Sequence, residues 1–159
     1  MPTAGKQHVR GFLSYCSPDK ALASTLWWTL KDLTRIDKTY NFEFWDFKAG
    51  GIRPGLDWHT EVESAVQRSD FAILAVSRHY LASDYIHEHE APPFLATGRA
   101  VPVQLETFEL DRADNRTLAG RQIYRGGSQA FDAVADNPIA SNAWVEGLVD
   151  AIHRVLRET

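Results

Sequence analysis

The residues best suited to chemistry cluster in one stretch: Trp45, Lys48, the run Gly50-Gly-Ile-Arg-Pro-Gly55 with Arg53, Trp58, and the acids Glu61 and Glu63. Backbone amides of a glycine-rich loop can cradle phosphates, and Lys48 and Arg53 could meet a pyrophosphate there. The faces of Trp45 and Trp58, which flank the loop, could stack on a planar base. Each residue also has a plainer use. The loop lacks both the Gly-Lys-Ser/Thr and the Gly-x-Gly-x-x-Gly pattern, so it reads equally as a mobile lid or contact loop. The two cations suit a solvated loop, Trp45 suits core packing at a strand end, and Glu61 suits the positive end of a helix that begins near Trp58.

Ser14 and Tyr15, at the end of the first strand, are expected to line the same cleft. Cys16 beside them is a nucleophile only if a histidine partners it, and the sequence places none. His87-Glu-His-Glu90 is not a His-Glu-x-x-His motif; its two histidines lie about 200° apart on a helix, so no metal site is expected.

The elements that must position these groups follow from hydrophobic periodicity. Val9 to Tyr15 reads as a strand, with Pro18 in the first turn of a helix whose leucines 22, 26, 30 and 33 recur at helical spacing. Asn41 to Trp45 alternates as a strand does, Phe47 to Gly55 is loop, and Trp58 to Arg68 is helical. Phe71 to Val76 is apolar at every position, which suits a central parallel strand covered on both faces. A further helix spans Asp84 to Glu90 and is expected to fade at Pro92-Pro93. Val101 to Leu105 is a strand, Gln122 to Tyr124 a weak one, and the rest of 106–141 is irregular. Val145, Leu148, Val149, Ile152, Val155 and Leu156 stripe a closing helix. This alternation predicts a flavodoxin-like α/β domain of three layers, with a central parallel sheet of about five strands and helices on both faces. Ligands of such sheets bind outside the carboxyl ends of the strands. Trp27 and Trp28 are adjacent and cannot both face one core, so at least one is exposed or lies in a protein contact.

With 159 residues, 44% apolar and 24% charged, one domain spanning 1–159 is expected and disorder is not. The net charge of −4 provides no field for a nucleic acid backbone. No run is long enough to span a membrane and no signal peptide opens the chain, so a cytoplasmic protein is expected; its one cysteine suits a reducing compartment.

Taken in order, Phe12-Leu-Ser-Tyr15 with Asp19, Phe44-Trp-Asp46, Ile52-Arg-Pro-Gly55, the segment from Trp58 through Glu61, Val62 and Ala65-Val66 to Ser69-Asp70, Tyr80-Leu-Ala-Ser-Asp-Tyr-Ile86 with Glu90, and Val101-Pro-Val103 resemble a prokaryotic Toll/interleukin-1 receptor (TIR) domain. The match runs over residues 9–105. The resemblance implies an enzyme that cleaves NAD+ between nicotinamide and ribose, giving ADP-ribose or a cyclic product, in bacterial antiphage defence. The catalytic glutamate is then the acid before the first core aliphatic, Glu61 before Val62. Ser14, Tyr15, Trp45, Lys48, Arg53 and Trp58 are implied substrate contacts, and NAD+ is substrate, so no cofactor is needed. The family also implies self-association and a separate sensor or effector protein that supplies the trigger. A non-catalytic scaffold acting through TIR–TIR contacts, or a microbial mimic that disturbs host TIR signalling, is the alternative.

Overall fold

A computed structural model describes residues 5–45, 64–118 and 121–158. Strand β1 (Gln7–Ser14) leads through a 3-10 turn (Ser17–Asp19) into α1 (Lys20–Thr34), and the chain returns as β2 (Tyr40–Trp45). A helical stretch over 64–68 precedes β3 (Phe71–Val76) and the short α2 (Arg78–Ala82). A π-helical turn (Ile86–Glu90) runs into α3 (Ala91–Thr97), followed by β4 (Ala100–Gln104) and the long closing helix α4 (Pro138–Glu158). All strand pairs are parallel, in the order β2-β1-β3-β4. This is the expected α/β architecture with helices on both faces.

The alternation of side chains along β3 explains the three layers. Phe71, Ile73 and Ala75 face one core with α1 and α4, while Ala72, Leu74 and Val76 face a second core with α2 and α3. All six are buried, as two covered faces require. Gly11 of β1 lets this sheet close. A Cβ there would stand 2.5 Å from the Phe71 ring, which packs edge-on against Phe42 and Phe44. On α1, Trp27 is buried against Phe44 and Trp28 is 71% exposed, as their adjacency demanded.

Three expectations need correction. The helix does not fade at Pro92-Pro93; both prolines lie in α3. Proline lacks an N–H and crowds the carbonyl four residues back. The preceding turn is widened, with the Ala91 amide donating to Ile86 five residues earlier, and this accommodates the rings. The fifth strand is reduced to one parallel bridge between Tyr124 and Val103 among the described residues. Tyr124 donates to the Pro102 carbonyl and accepts from Gln104, but Pro102 has no N–H to offer the carbonyl of residue 122, so the ladder stops there. Finally, α4 starts at Pro138, inside the stretch read as irregular, and 3-10 turns occupy Leu110–Arg112, Arg116–Leu118 and Phe131–Ala133.

Side-chain hydrogen bonds pin α4 at both ends. Near its start, the Tyr124 hydroxyl donates to the Trp144 carbonyl (2.6 Å) and fills the space a Cβ on Gly147 would occupy. Near its end, His153 Nε2 meets Asp37 Oδ2 at 2.6 Å, while the other oxygen of Asp37 accepts the Thr39 and Tyr40 amides. Burial raises the Asp37 pKa, but the two amides and the His153 ring outweigh it, so the carboxyl titrates below its ordinary 3.8.

A depressed folded-state pKa gives stability that is present above the unfolded value and lost as pH falls through the folded one. Asp37→Asn is therefore expected to cost about 1–3 kcal/mol at neutral pH. The difference from wild type should shrink as pH falls below 3.8 and on through the lower folded-state value. Urea denaturation at neutral pH and across this acid range checks this, and a pH-independent difference would assign the cost to packing.

Candidate functional site at the carboxyl edge of the sheet

In the order β2-β1-β3-β4, successive connections leave β1 towards opposite sides, so the topological switch point lies between β1 and β3. Two segments meet there, Tyr15–Asp19 after β1 and Ser77–Arg78 after β3. Buried and partly buried hydrogen bonds join them. Ser14 Oγ lies 3.0 Å from the Tyr80 hydroxyl, with both side chains fully buried. The Ser77 hydroxyl donates to Asp19 Oδ2 and accepts the Tyr80 amide at 3.0 Å, so one oxygen caps α2 and ties it to the loop ahead of α1.

The far side of β3 holds α2 as well. Glu106, just past β4, accepts the Arg78 amide (3.0 Å) and takes the Arg78 guanidinium on both carboxylate oxygens (3.1 and 3.3 Å). The Arg78 side chain, more than its amide and against the opposing effect of burial, holds the Glu106 carboxyl below its ordinary range. His87 packs edge-on against Tyr80, with ring centroids 6.0 Å apart. Burial, reinforced by the Arg116 charge, lowers its pKa, which keeps a neutral imidazole beside the network.

Among the residues expected to form the site, Ser14 and Tyr15 stand together at the end of β1. The Ser14 side chain is turned into the Tyr80 contact, and Tyr15 is half-buried against the α1–α4 core. Trp45 ends β2 in register with Phe12, so β1 runs two residues further, to Ser14, at the same carboxyl edge. Lys48, Arg53, Trp58, Glu61, Glu63 and the Gly50–Gly55 loop lie outside the described residues. Cys16 is half-buried and packs against the α2–α3 core. A separate recess of about 460 Å3 opens beside β4 between Gln104, Thr107, Asp111, Arg125 and Gln129, and neither Ser14 nor Tyr15 lines it.

Sequence reasoning did not foresee the pairing of Asp19 with Ser77, which are 58 residues apart. The available signal was a serine directly after an apolar strand and three residues before the Tyr80 amide that it caps. Tyr80→Phe should cost about 1 kcal/mol by removing the hydroxyl that Ser14 meets. The midpoint of thermal unfolding then falls by roughly 2–4 °C. Ser14→Ala should cost a similar amount, and the double variant little more than either single one. Fully additive losses in thermal melts would show that the two hydroxyls act separately.

A comparison with curated proteins gives no match. The family model described as TIR domain matches residues 12–138, from the last three residues of β1 to the first residue of α4. With the parallel sheet, the two-sided core and the switch-point loops in place, this match over most of the chain makes the protein a member of the TIR domain family.

Proposed function

We propose that this TIR domain cleaves NAD+ at the bond between nicotinamide and ribose. The observation that carries the reading is the family match, which spans position 61, and Glu61, followed by Val62 in the sequence, is the acid proposed to act. The C–N bond breaks with its electron pair leaving on nicotinamide, which departs neutral and needs no acid. Positive charge builds on the ribose, and a fixed carboxylate stabilises it. Water attacks the anomeric carbon and releases its proton to solvent, giving ADP-ribose; attack by an atom of the same molecule gives a cyclic product instead. Ser14, Tyr15, Trp45, Lys48, Arg53 and Trp58 are the proposed substrate contacts. The carboxyl ends of the neighbouring parallel strands β1 and β2, which open at the same edge, support a site there.

The Trp28 side chain, 71% exposed on α1, favours a second role in contact between protein molecules. Self-association and catalysis are compatible, since the Gly50–Gly55 loop is long enough to help complete a neighbour's site. Specific activity is then expected to rise with protein concentration from nanomolar to high micromolar. A constant value would assign the whole site to one molecule.

Glu61→Gln keeps the shape and removes the charge, and is expected to slow nicotinamide release by roughly 10²–10³. Its thermal midpoint should hardly change, because a first-turn acid contributes at most about 1 kcal/mol through the helix dipole. Glu63→Gln is the control and should stay near wild type. Equal rates in all three proteins would remove Glu61 from the mechanism, and a loss confined to Glu63→Gln would shift the site by two residues. A wild type that releases no nicotinamide at any concentration would leave the scaffold role.

A further inference from the structure

Asp19 occupies the position ahead of α1 where an aspartate ordinarily caps the helix by accepting one of its first amides, yet its side chain makes no such bond. Its carboxylate instead accepts the hydroxyl of Ser77, which is itself fully buried and held by the Tyr80 amide. At the other end of the same loop, Ser14 meets the Tyr80 hydroxyl at 3.0 Å. The residues between these two attachments, Tyr15 to Pro18, cross the β1/β3 switch point, with Ser14 and Asp19 on either side both bonded to residues at the start of α2. A span this short, anchored at both ends, has little conformational freedom left to lose when a ligand arrives.

We propose that Asp19 is a positioning residue: by accepting the Ser77 hydroxyl it orders the Tyr15–Pro18 span for substrate before binding, without itself touching the reacting atoms. The substrate named here rests on the NAD+ reading above; the ordering of the span does not. Releasing the Asp19 end lowers the fraction of molecules with an ordered span, and apparent affinity falls by that same fraction. The rate of the bound complex is left largely alone. Asp19 is the informative position because Asp19→Ala breaks the clamp while Ser77 still caps α2. Asp19→Asn keeps an oxygen that can accept the Ser77 hydroxyl but removes the charge.

The experiment measures steady-state kinetics with NAD+ and amide hydrogen exchange without it, on the full chain in three forms. Asp19→Ala is expected to raise KM by about tenfold, as an ordered fraction of about one tenth would, with kcat within about threefold of wild type. Exchange should speed up at residues 15–19 in the absence of NAD+. Asp19→Asn should recover most of both losses. An unchanged KM in Asp19→Ala would overturn the positioning role. A kcat loss in Asp19→Asn as large as in Asp19→Ala would overturn it differently, because the charge would then act on the reaction itself. If the wild type releases no nicotinamide, the NAD+ reading fails, and exchange alone judges the clamp: unchanged exchange at 15–19 in Asp19→Ala overturns it.

Discussion

Strand β3 has no polar face, and the rest of the architecture answers to that. Six consecutive apolar residues can be kept from water only if something covers each side of the sheet, so helices must pack on both. Alternation then assigns Phe71, Ile73 and Ala75 to the α1–α4 core and Ala72, Leu74 and Val76 to the α2–α3 core. With both faces occupied, the edges where loops emerge are left for binding. The carboxyl edge is the one where the first turns of α1 and α2 begin, and where the β1/β3 switch point separates the loops.

A two-sided core fixes where the helices lie far better than where each begins, because apolar contacts are non-directional. In this protein polar side chains supply the direction. Ser77 sets the start of α2 and ties it to the β1 loop, while Glu106 holds the same helix start from β4. Asp37 does the equivalent at the opposite edge, gathering the Thr39 and Tyr40 amides and the His153 ring at one corner. These groups are buried or partly buried, so losing a partner costs more than the net worth of the bond. The loops at the carboxyl edge are therefore held by interactions that tolerate little displacement, and a site built on them inherits that geometry.

Much of the fold was legible in local pattern. The continuous run Phe71–Val76, the leucines of α1 and the stripe of α4 each follow a period that the backbone imposes, so strand, helix and buried face could be read without knowing their neighbours. The exposure of Trp28 followed from its adjacency to Trp27 in the same way. Where the reading went wrong, a local rule met a neighbour that changed its terms. Pro92-Pro93 ends a regular helix but fits after a widened turn. Residues 122–124 have strand character, yet the partner strand presents Pro102, which cannot donate. For the candidate site, Ser14 and Tyr15 were placeable because they end a recognisable strand. Glu61 was singled out by its place before Val62 in the family pattern.

What the sequence by itself determined is thus the strands β1 to β4, the helices α1 and most of α4, their inner faces, the class of fold and the family, because all of these are carried by spacing between near neighbours and by motif order. Only the tertiary structure decided which polar groups meet. Asp19 finds Ser77 across 58 residues and Asp37 finds His153 across 116, because the strand order lays the β1 loop beside the β3 loop and brings α4 back against the turn before β2. No periodicity encodes such pairs. A hydrogen bond needs two groups within about 3 Å at the right angle, and it is the packing of elements far apart in sequence that creates that proximity.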